Sequence, residues 1–496
     1  MAKFTNNMYR DLLKVTVRDP IVSQSNTETF YFTAGRVDEW EGGPFEPDPE
    51  TGEYSQSVQV RTNLIAGVRV QANQVAFMGN KNIWASNTVY TTFDNKSSSA
   101  AFYVINGGND VYKCISNNND SPSTVEPTST YTSGTFQTAD GYVWKYMTTI
   151  NASDLTTFGS TSTIPLISNA AVVSNAIAGT IDAISVVDPG AGYTKYRTGK
   201  VGAQVSTTLI RVNNVVDEGV GYYADCSFAI VGGTGVGSLR QISNSVSNSS
   251  GNFITVSSPI TVDLTSQFII SPRLSIAGDG AGATGYVNID NGAVSNVVII
   301  SPGTGYSYAT LTVTSDTTIP CSLRAHVSPR GGHGSDLISE LDSTSVAIVG
   351  AFPKTLGRAL PNDITYYQFG LIKSPQHSNG SVMVSNVVSF ATSFATPADT
   401  LYVKDETLRG ITSNATGTVM SSNTTLTYLK NVTGGFLSGE AVVGTTTNVE
   451  SYITDVQSSS FDKLTGDLLY YVDVSAINRT DTIESEHIRC IINIEG

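Results

Sequence analysis

Two runs constrain the fold of this chain more than any other feature. They are Val111-Tyr112-Lys113-Cys114 and Asp140-Gly141-Tyr142-Val143-Trp144-Lys145-Tyr146-Met147. Both alternate residue by residue and are rich in aromatic and β-branched side chains, the pattern of strands on a pleated sheet. In the second run Tyr142, Trp144 and Tyr146 share one face, while Val143 and Met147 lie on the other. A strand apolar on both faces needs cover on each side, which predicts the interior of a layered β structure. Asp140-Gly141 reads as a tight turn, because glycine tolerates the positive φ that such turns use. The intervening Asn117 to Thr138, mostly Ser, Thr, Asn and Pro, reads as a long surface loop.

Further elements follow from the same patterns. Met8 to Val17 reads as a first strand and Thr27 to Ala34 as a second, with Phe30 and Phe32 alternating. Gly35-Arg36 leads through Trp40 into Gly42-Gly43-Pro44-Phe45-Glu46-Pro47, an extended loop stiffened by its prolines. Leu64 to Met78 mixes helical spacing with a β run at Val75 to Met78, so a short helix or turn followed by a strand is expected. Asn151 to Leu155 opens a helical turn, and a short helix is expected over Ser335 to Leu341, capped by Asp336 or Ser335. Glu340 and Asp336 read as its solvated face. Val346 to Phe352, Ile364 to Pro375 and Leu468 to Ile494 supply further core strands.

Two internal repeats interrupt this series. Gly179 to Tyr193 recurs as Gly292 to Tyr306, an offset of 113 (292 minus 179), each copy a strand ending in Pro-Gly-x-Gly-Tyr. The second pair matches Glu406-Thr407-Leu408-Arg409-Gly410 with Glu440-Ala441-Val442-Val443-Gly444, an offset of 34 (440 minus 406). Two such short units facing each other would bury the face that neither buries alone. The resulting expectation is a mainly β fold: a layered β-sandwich core with short helices in loops and two inserted small β domains. The core spans 1–170, 321–388 and 461–496, with inserts at 171–320 and 389–460.

Charge and motif content narrow the function. Charged residues make up only 14% of the chain, against roughly 25% in ordinary soluble domains. Ser, Thr, Asn and Gly must therefore carry the polar surface, a bias seen in extracellular and virion β proteins. The net charge of -14 (28 minus 42), with no basic cluster, argues against nucleic acid as a partner. No apolar stretch approaches the roughly 18 residues of a membrane helix, and the N-terminus lacks a signal-peptide core, so a soluble protein made in a cytoplasm is expected. Cys114, Cys226, Cys321 and Cys490 share no local spacing and read as four buried free thiols. Gly280-Ala281-Gly282-Ala283-Thr284-Gly285 matches a phosphate-loop pattern, but a strand follows where a helix is required. His333, in Gly331-Gly332-His333-Gly334, shares no ligand spacing with His326, His377 or His487; it reads as a turn histidine bonded to backbone. No GxSxG, no Cys–His pair and no set of paired carboxylates stands out. The expectation is no enzyme, no catalytic residue, no metal and no cofactor.

The aromatic pair of runs, with Gly35-Arg36 … Trp40 and the terminal Leu468-Leu469-Tyr470 … Ile477-Asn478-Arg479 … Ile491, resembles the dimeric baseplate wedge protein of T-even-like contractile-tailed bacteriophages. The resemblance covers about half the chain, in segments 1–165, 320–380 and 460–496. Where that family has Asn-Arg in its last hairpin, this chain has Asp473-Val474. The resemblance implies a homodimeric structural subunit of the virion tail baseplate, assembled in the host cytoplasm. Its partners would be its own second copy and other wedge proteins, with no nucleic acid, membrane or small-molecule substrate. Arg36, Trp40 and Phe45, in the exposed loop, are the candidate partner contacts. The competing reading is a carbohydrate-binding tail adhesin or depolymerase.

Overall fold

Period-two apolar alternation recurs through much of the chain, and the resulting computed structural model is mainly β, 48% strand against 9% helix. It describes residues 6–37, 58, 60–93, 101–214, 218–314, 317, 319–353, 364–397, 400–423, 426–472, 476–479 and 485–493. The chain divides into two compact units. The first holds residues 1–78, 156–159 and 344–496; the second holds 79–155 and 160–343. Trp144 therefore belongs to the second unit and the C-terminal strands to the first, so the expected single scaffold uniting them divides in two. The physical reason is local pairing. The aromatic runs complete a core within their own unit, while Ser485–Asn493 pairs along its length with Ser345–Pro353.

In the first unit, Phe30–Gly35 is buried throughout and sits at the centre of a five-stranded antiparallel sheet. Leu64–Arg69 and Gln368–Lys373 flank it, with Val387–Ser389 and Asp467–Val472 at the edges. A second sheet joins Ser485–Asn493, Ser345–Pro353 and Val75–Asn80. Phe32 of the first sheet meets Phe352 of the second edge-on at 6.0 Å, so the two form sandwich layers. Any side chain at Gly350 would strike the Phe32 ring.

Two segments differ from their sequence reading. Met8 to Val17 is helical, within Asn6–Leu13 and a π turn at Lys14–Arg18, followed by Asp19–Val22. Leu13, Val17 and Ile21 recur every four residues and are buried, whereas Met8, Leu12 and Val15 face solvent. That is a helical stripe, and the single-face spacing prevails over the β-branched content. Leu64 to Arg69 is a strand where a short helix or turn was expected; a 3₁₀ turn at Ala72–Gln74 then leads into Val75–Asn80.

Residues 392–457 form a seven-stranded sheet over their own core of Phe394, Leu408, Val419, Leu429, Val442 and Ile453. One strand in from an edge of this sheet the two 34-residue repeats pair antiparallel, Leu408 opposite Gly444 and Gly410 opposite Val442. The axis of this internal symmetry passes through the Arg409–Val443 pair. Equivalent bonds cross it in both directions: Thr445 N donates to Thr407 O and Ile411 N donates to Ala441 O, each at 2.9 Å.

In the second unit, Tyr103–Ile105, Asp110–Ser116, Val143–Thr149 and Phe136–Gln137 make a four-stranded sheet. Tyr142 and Trp144 stack at 5.4 Å, both fully buried, and Tyr90 closes on them edge-on. Gly141 takes φ +85° in the expected turn. Asp140 pins the polar spacer beside it, accepting from Ser123 Oγ, Thr124 N, Val125 N and Thr138 Oγ1 at 3.0, 2.8, 2.9 and 2.5 Å. Residues 197–271 close a six-stranded barrel filled by Val201, Ile210, Phe228, Ile242, Ile254 and Phe268. The 113-residue repeats interlock beside it. Tyr193 N donates to Gly292 O at 3.0 Å, and the equivalent Tyr306 N donates to Gly179 O at 3.1 Å. Gly190 and Gly303, at φ +62° and +63°, make the same turn in both copies.

Candidate functional site

Strand alternation places Lys113 and Lys145 directly opposite each other on neighbouring strands, on the face away from the Tyr142–Trp144 stack. Both are nearly inaccessible, at 0% and 2% exposure. A buried ammonium needs an anion or a set of carbonyls. Lys113 Nζ forms an ion pair with Glu340 Oε2, and Lys145 Nζ donates to Thr132 O and Gly134 O at 2.7 and 3.2 Å. The Phe93 ring lies over Lys113 Nζ, 4.0 Å from its centroid.

Glu340 comes from the short helix Leu337–Glu340, which Asp336 caps by accepting from Ser339 N. The glycine turn ahead of it wraps back over the carboxylate. Gly334 N donates to Oε1 and Oε2 at 2.8 and 3.0 Å, and Asp336 N to Oε1 at 3.2 Å. His333 lies between two acids, its Nε2 3.3 Å from Asp182 Oδ2 and its Nδ1 3.9 Å from Glu340 Oε2. Both contacts are too long or misaligned for hydrogen bonds, which leaves two buried ring nitrogens unsatisfied.

Electrostatics sort these groups. Burial pushes the Glu340 carboxyl up, but Lys113, His333 and the Gly334 N–H outweigh it and hold the group below the usual range. Asp182 is likewise raised by burial and lowered further by His333, Thr180 and Lys113. Burial, helped by Lys113, lowers His333 against the pull of Asp182 and Glu340, so the imidazole is neutral. Burial also lowers Lys113, opposed by Glu340, and brings Lys145 down to about 8. Both carboxyls are thus held ionised.

Beside the cluster opens a cleft of about 290 Å³ lined by Tyr131, Lys145, Asn175, Asp182, Pro302 and His333. Tyr131 stands at 53% exposure. Among the described residues, no group of three His, Cys, Asp or Glu side chains is placed to hold a metal; the four cysteines are free thiols, but only Cys114, Cys226 and Cys490 are buried, while Cys321 is half-buried. Among those residues also, no helix is long and apolar enough to cross a membrane.

Two readings of single residues are corrected here. His333 is not bonded to backbone but buried between Asp182 and Glu340, and Glu340 is not solvated but 4% exposed against Lys113. Their partners lie far away in sequence, beyond the reach of local spacing. A signal was nonetheless present: two lysines on the same face of strands apolar on both sides demand buried counter-groups. Of the candidate partner contacts, Arg36 lies in the first unit, half-buried at φ +43°. Its N–H donates to Asn63 O at 2.9 Å and its carbonyl accepts from Tyr367 N at 2.8 Å. Trp40 and Phe45 lie outside the described residues.

No known protein family matches the sequence, and no curated protein is similar to it.

Proposed function

We propose that this chain is a structural subunit of a contractile phage tail: a homodimeric baseplate wedge protein that holds other wedge proteins together while the baseplate rearranges on host attachment. The reading rests on the resemblance carried by Val111–Cys114 and Asp140–Tyr146. One observation supports it above the rest. The charged residues of those strands are spent on internal ties, Lys113 to Glu340, Lys145 to two carbonyls and Asp140 to its own loop. Charges tied internally in this way stiffen the strands of a building block.

The test is light scattering on the purified chain, alone and after co-expression with wedge proteins of the same phage. A dimer that enters a larger wedge complex is the expected result; a free trimer with no wedge association overturns it. Trp40→Ala should weaken that complex while leaving the thermal transition unchanged. Unaltered co-purification would remove the loop from the interface.

The cleft lined in part by the exposed ring of Tyr131 favours, as a second reading, a carbohydrate-binding tail adhesin. Saturable glycan binding by a trimer would establish that instead.

A further inference from the structure

We propose that Lys113 and Glu340 condense within the folded protein to an isopeptide bond, a covalent tie between strand Asp110–Ser116 and helix Leu337–Glu340. The pair is fully enclosed, at 0% and 3% side-chain exposure, with the Phe93 ring covering the amine. Two charges so placed lose their hydration, and a neutral amide in the same space removes that penalty. Fixed contact between nucleophile and carboxyl replaces a bimolecular encounter with an effective concentration on the order of 10⁵ M or more. The absence of bulk water around the product also disfavours hydrolysis.

The surrounding groups match the reaction. A proton passes from Lys113 Nζ to Glu340 Oε2 across the ion pair, which leaves a neutral amine beside a neutral acid. The amine nitrogen then forms a bond to Cδ. Charge that develops on Oε1 meets two donors already aimed at it, Gly334 N at 2.8 Å and Asp336 N at 3.2 Å. The Cδ–Oε2 bond breaks, and the oxygen departs as water with a second proton from the same nitrogen. The His333 imidazole relays that proton once its ring swings in to close the 3.9 Å that separates Nδ1 from Oε2. Asp182, 3.3 Å from Nε2, offsets by its charge the imidazolium that forms in passing. Ammonium and carboxylate thus become amide and water, with no oxidant, reductant or co-reactant.

The measurement is the intact mass of the full chain under denaturing conditions. A mass lower than that of the sequence by one water is expected, together with a branched proteolytic peptide joining the Lys113 and Glu340 segments. The sequence mass, with the two peptides recovered separately from correctly folded protein, overturns the proposal. Lys113→Met and Glu340→Ala should each restore the full mass. Should either fail to fold, Asp182→Asn keeps both reacting groups. As a positioning variant it should yield a mixture of linked and unlinked chains, and complete linkage there would remove Asp182 from the proposal. The readout is independent of the wedge reading, which concerns association and not mass.

Discussion

Glu406 and Glu440 exchange turns: each carboxylate closes the loop of the other's repeat. Glu406 Oε1 accepts from Thr446 N and Thr447 N at 2.9 and 2.6 Å and from Thr447 Oγ1 at 2.8 Å; its Oε2 accepts from Val403 N at 3.1 Å. Glu440 repeats the set with Thr412 N, Ser413 N, Ser413 Oγ and Leu437 N at 3.1, 2.9, 2.9 and 2.6 Å. Both residues are nearly buried, at 3% and 5% exposure. A carboxylate with several N–H donors is a strong tie, and here two of them bind each repeat to its twin.

Glu406→Ala and Glu440→Ala should therefore destabilise the small module by similar amounts, about 2–4 kcal/mol each, since several buried donors lose their acceptor. Urea unfolding followed by fluorescence checks this. Markedly unequal losses would mean that the internal symmetry is not energetic.

The same carboxylates set a pH dependence. Burial raises each, but the N–H and hydroxyl donors prevail, so both folded values lie below the ordinary 4.5. A group lowered on folding contributes its stability above the unfolded value and loses it as pH falls through the folded one. The melting temperature of the module should hold through neutral pH and decline only below about 4.5. In the Glu406→Ala, Glu440→Ala double variant that decline should flatten, a comparison that differential scanning calorimetry makes directly.

Gly410 and Gly444 leave the space these carboxylates occupy. A methyl group at Gly410 would lie 2.8 Å from both Glu440 oxygens, and one at Gly444 would collide with Glu406 Oε1. Alanine at either position should destabilise by about 1–3 kcal/mol. Combined with loss of the facing glutamate the effects should be less than additive, because that part of the clash disappears while the contact with Ser413 Oγ or Thr447 Oγ1 remains.

Arg489 donates to the carbonyls of Thr157 and Thr156 at 3.0 and 3.1 Å, and to that of Gly159, at the end of helix Ala152–Phe158. Arg489→Ala should lower stability by about 2–3 kcal/mol. Lysine, without the planar fork, should recover less than half of that. Hydrogen exchange at residues 156–159 would localise the loss.

Asp140→Ala should release the loop around Ser123, Thr124 and Val125 and destabilise by about 2–4 kcal/mol. Burial raises this carboxyl, yet the Thr138 hydroxyl and the loop N–H groups hold it below 3.8. The wild-type loop should accordingly resist proteolysis at neutral pH and open only in acid. Early cleavage between Ser123 and Thr138 at neutral pH in the variant alone is the expected pattern.

Local order was legible wherever it depends on neighbours in sequence. Alternation was enough to place Tyr142, Trp144 and Tyr146 on one buried face, to make Gly141 a turn and to read the chain as mainly β. The equivalences of Glu406 with Glu440 and of Tyr193 with Tyr306 were also visible as repeats. What those repeats do to each other was not: the reciprocal bonds depend on a symmetry axis that exists only once the copies meet. Lys113 and Glu340 show the same limit. Strand periodicity dictates that Lys113 points into an apolar interior, but only tertiary folding decides which carboxylate, 227 residues away, answers its charge. Backbone pattern is a short-range property, whereas burial of charge is settled by whatever the fold brings alongside.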